Sequence, residues 1–83
     1  MYQMVHVGHE NQVSIQRIVG IKKYKSTAIR KLVAEEKQKG TLIDMTEGKR
    51  TFSVIYLDNG QIVTSSINPQ TLAERIKKEQ QGG

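Results

Sequence analysis

Thr51-Phe52-Ser53-Val54-Ile55-Tyr56-Leu57-Asp58-Asn59-Gly60-Gln61-Ile62-Val63-Thr64-Ser65-Ser66-Ile67 is the stretch on which the fold turns. Two β-prone runs, Thr51 to Leu57 and Gln61 to Ile67, flank Asp58-Asn59-Gly60. Asn-Gly tolerates the positive φ angles of a type I′ turn, so the segment reads as an antiparallel hairpin. Directly after it, Asn68-Pro69 supplies an N-cap and a first helical residue with preset φ, and Leu72, Ala73 and Ile76 give the following helix an apolar stripe.

On the other side, Thr46-Glu47-Gly48-Lys49 has turn chemistry, and Thr41 to Met45 before it reads as a strand. Further upstream the period becomes helical. Ile29, Leu32, Val33 and Glu36 share one face, Ser26 or Thr27 is placed to cap the start and Gly40 to close the end, which predicts a helix over roughly 27–39. Lys31, Glu35 and Lys39 are successive i,i+4 neighbours that support it. Met4 to Val7, Val13 to Ile15 and Ile18 to Ile21 are short β-prone runs expected to form one antiparallel N-terminal unit, with a bend or bulge at Gly20. No internal repeat or linker interrupts the chain. The expected architecture is one α+β domain, a small antiparallel or mixed β-sheet with two helices, over residues 1–76, followed by a flexible tail at 77–83 that lacks apolar residues.

At 83 residues, 36% hydrophobic, with three tyrosines and one phenylalanine, the chain has a thin core that self-association would supplement. The absence of cysteine excludes disulfide and thiolate-metal scaffolds and fits a reducing compartment. No run approaches the roughly 20 apolar residues that span a bilayer, and no export pattern follows Met1, so a cytoplasmic location without membrane contact is expected. Thirteen Lys and Arg against eight Asp and Glu give a net charge of +5. Arg17, Lys22, Lys23, Lys25, Arg30 and Lys31 lie in a stretch without an acidic residue, a field that attracts polyanions or simply a solvated face.

Few residues offer catalysis. Gly48-Lys49 falls short of a phosphate-binding loop: seven residues separate Gly40 from Gly48, Arg50 stands between Lys49 and Thr51, and no helix follows. His6 and His9 have no carboxylate cluster beside them. Ser65 and Ser66 lack the glycine-flanked elbow of a nucleophile, and Asp44 with Glu47 reads as turn capping. No enzyme, cofactor or metal is therefore expected. Lys49 and Arg50 differ, because cations at a tight turn project together and Arg presents a planar fork to phosphate or guanine. By themselves they are equally a solvated turn or a binding site.

Arg17-Ile18-Val19-Gly20-Ile21, then Lys39 to Thr51 with its Gly-x-Leu-Ile-Asp-x-Thr-x-Gly-basic-Arg-Thr pattern, then Ser65 to Ile76 resemble the RemA family of bacterial extracellular-matrix regulators, from about residue 4 to 76. The resemblance implies a DNA-binding transcriptional activator of biofilm-matrix genes. It also implies a ring-like homo-oligomer with outward arginines on the backbone of double-stranded DNA. Carried over by position, the family's functional arginines fall on Arg17, Lys49 and Arg50. Three departures weaken that site: lysine in place of the first arginine of the turn, acidic Glu47 before Gly48, and Phe52 at a further basic position. The alternative expectation is an oligomeric interaction module whose basic face docks an acidic protein.

Overall fold

The computed structural model describes residues 3–82 and contains two sheets and two helices. Strands β1 (Met4–Gly8) and β2 (Asn11–Ser14) form a two-stranded antiparallel hairpin. A single 3-10 turn, Ile15–Arg17, leads into β3 (Ile18–Lys23), and α1 (Thr27–Lys39), β4 (Ile43–Asp44), β5 (Ser53–Leu57), β6 (Ile62–Ser65) and α2 (Pro69–Gly82) follow. The larger sheet has the order β3-β5-β6-β4; β4 runs parallel to β6 and the other pairs are antiparallel, so the sheet is mixed.

Alternation along the strands places α1 on one face of this sheet, and the β1–β2 hairpin with α2 on the other. Val54 and Ile62 meet Val33, Ile29 and Leu32 of α1. Ile55 and Val63, on the opposite face, join Val5, Val7, Val13, Ile15 and Leu72 in the main core. The buried Ser65 hydroxyl donates to the Val7 carbonyl at 2.6 Å and accepts from the Ile67 amide at 3.0 Å, which pins the hairpin across β6.

The helices start where local chemistry dictates. The Ser26 hydroxyl accepts from the Ile29 amide, and Gly40 closes α1 in the left-handed region. Asn68 Oδ1 accepts from the Gln70 amide at 2.8 Å, so α2 begins at Pro69. This helix continues to Gly82 through the stretch assigned to the tail, with residues 77–81 exposed, and Gly83 lies outside the described residues, as do residues 1 and 2 of the expected domain. Ala73 is exposed, so the stripe of α2 is Leu72 with the partly buried Ile76.

Four expectations are corrected. The three N-terminal strands do not form one unit: the 3-10 turn redirects the chain, and β3 pairs with β5, where Ile21 faces the main core. The expected bulge is present, with a register shift between Ile18 and Gly20 that leaves Val19 69% exposed. The Asp58-Asn59-Gly60 loop is not type I′. Only Gly60 has positive φ, the Gly60 amide donates to the Leu57 carbonyl, and the Leu57 amide donates to the Gln61 carbonyl, the three-residue loop closed by a glycine bulge. Thr41 to Met45 narrows to Ile43–Asp44, and the strand expected from Thr51 begins at Ser53.

Candidate nucleic-acid interface

The turn before Lys49 is built from Asp44 outward. Asp44 Oδ1 accepts from the Thr46 hydroxyl at 2.6 Å, the Thr46 amide at 2.9 Å and the Thr64 hydroxyl at 3.0 Å. The two bonds from Thr46, more than any other influence, hold the Asp44 carboxyl below its ordinary pKa; burial opposes them, while the Thr64 hydroxyl and the charge of Lys37 add to them. The Thr46 carbonyl then accepts from the Lys49 amide at 2.9 Å, and the two central residues, Glu47 (φ 53°) and Gly48 (φ 79°), both lie in the left-handed region. For Glu47 this conformation is costly, and the Asp44 anchor with the adjoining β4–β6 pairing holds it in place. Asn11 Nδ2, from the first residue of β2, donates to Glu47 Oε1 at 3.5 Å. Lys49 and Arg50 emerge exposed from this turn on the chain that crosses from β4 to β5, rather than between two paired strands.

Arg17 is elsewhere. It ends the 3-10 turn and meets Asp58, beyond the far end of β5, whereas Arg50 precedes the near end. The five residues of β5 alone separate the two by about 14 Å. The fold therefore brings Lys49 and Arg50 together and leaves Arg17 at the opposite end of the sheet. The Arg17 guanidinium is also engaged, with Nε 3.2 Å from Asp58 Oδ1.

In place of Arg17, the sheet brings the β3–α1 cations to the Lys49-Arg50 end. Lys23 pairs with Ser53, and the Tyr24 amide donates to the Phe52 carbonyl at 2.9 Å. The Arg50 guanidinium lies over the Phe52 ring at 5.2 Å from its centroid, and that of Arg30 over Tyr24 at 5.6 Å. Lys23 and Phe52 also line a cleft of about 270 Å³ with Asn68, Pro69 and Gln70. Among the described residues, no ion pair within 4.0 Å involves Lys22, Lys23, Lys25, Arg30, Lys49 or Arg50. The acid-free stretch that holds Lys23, Lys25 and Arg30 is plain in the sequence as a charge bias, but its meeting with the turn is not. That meeting depends on the pairing of β3 with β5.

The remaining candidates have structural surroundings. His9 Nε2 lies 3.2 Å from the Ser66 hydroxyl, and the His6 carbonyl accepts from Arg75 at 3.1 Å. Ser65 is fully buried. Among the described residues, no group of three or more His, Cys, Asp or Glu side chains converges as a metal site would require, and no helix is long and apolar enough to cross a membrane.

Fold and site together define a small α+β domain with a cation-rich end, on which two basic segments distant in sequence meet. The chain belongs to the RemA-like family, described as extracellular matrix regulatory protein A-like, whose model matches residues 4–76. It is 36% identical over 74 residues to a protein of Dehalococcoides mccartyi named "Putative regulatory protein", a match that covers 89% of this chain and 77% of that one. Relatives with the same name from Geobacillus thermodenitrificans (36% over 76 residues, covering 92% and 87%) and Carboxydothermus hydrogenoformans (38% over 78 residues, covering 94% and 90%) are similar along almost their whole length. These names are those of regulators rather than of enzymes.

Proposed function

We propose that this chain is a cytoplasmic, DNA-binding transcriptional regulator that holds the backbone of double-stranded DNA as a ring-like homo-oligomer and acts on extracellular-matrix genes. The observation that carries the reading is the meeting of Lys49 and Arg50 with the β3–α1 cations at one end of the sheet, with no ion pair to neutralise them among the described residues. The family's description as an extracellular matrix regulatory protein supports the regulatory role and its target genes.

A few cations on one subunit make a weak DNA binder, and repetition in a ring multiplies that weak contact. The exposed edge strand β3, with Val19 and its bulge, supports self-association, since a neighbouring protomer would cover it. Both helices lay their apolar stripes on the sheet, so specificity comes from duplex shape and the register of sites rather than from a recognition helix.

The test is a gel-shift titration across a salt series, paired with solution mass. Arg50→Ala is expected to weaken binding and to shallow the salt dependence while the oligomer persists. Unchanged binding by that variant refutes the site. An oligomer that ignores DNA at moderate salt but retains an acidic protein refutes the function in favour of a protein-docking module.

A further inference from the structure

We propose that the cleft between Phe52 and the start of α2 seats one phosphodiester of the DNA duplex, with Lys23 supplying the charge and the Gln70 side chain a neutral hydrogen bond. This rests on the DNA-binding reading and gives a contact to α2, which that reading uses only for packing.

Sheet and helix build the cleft together. Lys23 ends β3 opposite Ser53, and Ile21, on the same strand face, packs in the main core that α2 covers. Lys23 therefore projects on the α2 side of the sheet, where it lines the cleft of about 270 Å³ with Phe52, Asn68, Pro69 and Gln70. The bond from the Tyr24 amide to the Phe52 carbonyl, 2.9 Å long, holds Phe52 beside the end of β3. The Arg50 guanidinium lies over the Phe52 ring, 5.2 Å from its centroid, so Phe52 is the wall that the cleft shares with Arg50. Asn68 Oδ1 fixes the other wall by accepting from the Gln70 amide at 2.8 Å and the Thr71 amide at 3.4 Å.

The lining suits a phosphodiester. No carboxylate is among the residues that line the cleft, and neither Lys23 nor Arg50 has an ion pair within 4.0 Å among the described residues, in contrast to Arg17. The helix end itself is not the binder, because Asn68 already occupies the amides of Gln70 and Thr71. The donors are the Lys23 ammonium and the Gln70 carboxamide, both on exposed residues. The cleft is roomier than a phosphate group, so water fills the remainder, as at many protein–DNA contacts. A nucleobase is a poorer occupant, since Arg50 already covers a face of the Phe52 ring. An acidic protein would want an apolar anchor, whereas among the described residues the other exposed large apolar side chains, Met4 and Val19, lie at the Arg17 end. Phe52 is therefore a wall of the site, although it stands where the resemblance implied a further cation.

The experiment uses the full chain, a labelled duplex and a matching single strand, with Lys23→Ala, Gln70→Ala, Arg50→Ala and, as a control of equal charge change, Lys78→Ala on the distant half of α2. Lys23 and Gln70 are exposed, so alanine leaves the core intact, and an unchanged melting temperature verifies each fold. Lys23→Ala is expected to weaken duplex binding about tenfold and to reduce the slope of log affinity against log salt by about one unit. Gln70→Ala is expected to weaken it about threefold with the slope unchanged, because a neutral hydrogen bond releases no counterion. Lys78→Ala is expected to match the unmodified chain. If Arg50→Ala weakens binding while Lys23→Ala and Gln70→Ala behave as the control, this inference is overturned and the DNA-binding reading stands. A loss for Lys23→Ala with none for Gln70→Ala overturns the cleft as the seat. If the unmodified chain binds no duplex, both readings fall. Tighter binding to the single strand than to the duplex, abolished by Lys23→Ala, overturns the duplex-backbone assignment.

Discussion

Arg17 is tied to Asp58 twice: the Asp58 amide donates to the Arg17 carbonyl at 2.8 Å, and Arg17 Nε approaches Asp58 Oδ1 to 3.2 Å. The backbone bond closes the end of the β3–β5 ladder, and the ion pair takes up part of a guanidinium that the family resemblance assigns to DNA. With both side chains about half exposed (52% and 50%), the pair adds less than about 1 kcal/mol to stability. Asp58→Asn is accordingly expected to leave the melting temperature almost unchanged and to tighten DNA binding about threefold, the scale of one exposed ion pair released. Arg17→Ala is expected to weaken binding less than Arg50→Ala does. Parallel titrations of the three variants check this ordering, and an equal loss for Arg17 and Arg50 would contradict it.

The ring beneath Arg50 gives a second prediction. Phe52→Leu keeps an apolar side chain and every charge but removes the π face under the guanidinium, a contact worth about 0.5–1 kcal/mol at an exposed site. Duplex affinity is expected to fall a few-fold while the salt slope stays constant, because the number of cations is unchanged. A shallower slope would mean that Arg50 had left the interface altogether.

Asp44 links the turn to acid stability. Its folded pKa is lowered, chiefly by the Thr46 hydrogen bonds, so the charged form stabilises the fold fully above the unfolded value of about 3.9, and that contribution is lost as pH falls through the lower folded value. Asp44→Asn is expected to cost about 1 kcal/mol at neutral pH, near the low end for bonds to a charged acceptor because the residue is exposed. Denaturant midpoints should differ by a constant amount above about pH 5 and converge in stronger acid. Loosening this anchor is also expected to weaken DNA binding without altering any cation.

Ser65 holds the hairpin to β6 from a fully buried position. Removing its hydroxyl leaves the Val7 carbonyl and the Ile67 amide without that partner, so Ser65→Ala is expected to cost about 1–3 kcal/mol. For a domain of this size each kcal/mol corresponds to roughly 4–8 °C in melting temperature, which thermal unfolding of the variant measures directly.

Gly48→Ala probes the turn itself. An added Cβ at Gly48 meets nothing within 4 Å, but φ is +79°, so the substitution is strained despite the open space. A cost of about 1 kcal/mol is expected in chemical denaturation, with weaker DNA binding if the altered turn redirects Lys49 and Arg50.

The sequence by itself determined the features whose causes lie within a few residues. The Ser26 cap and Gly40 close α1, Asn68-Pro69 starts α2, and the Asp58-Asn59-Gly60 reversal joins β5 to β6, since caps and turns are satisfied by neighbouring backbone groups. The acid-free basic stretch and the Lys49-Arg50 pair were equally legible. Even the turn chemistry had limits: positive φ at both central residues falls on His9-Glu10 and Glu47-Gly48, where non-local contacts hold the chain, and not on Asn59-Gly60. Tertiary structure alone decided which strand β3 joined. Strand pairing is settled by which faces are buried together, and only the β3–β5 register joined Tyr24 to Phe52 by a backbone bond, brought the basic end of β3 to the segment that carries Lys49 and Arg50, and sent Arg17 to Asp58, 41 residues away in sequence, at the other end of the sheet.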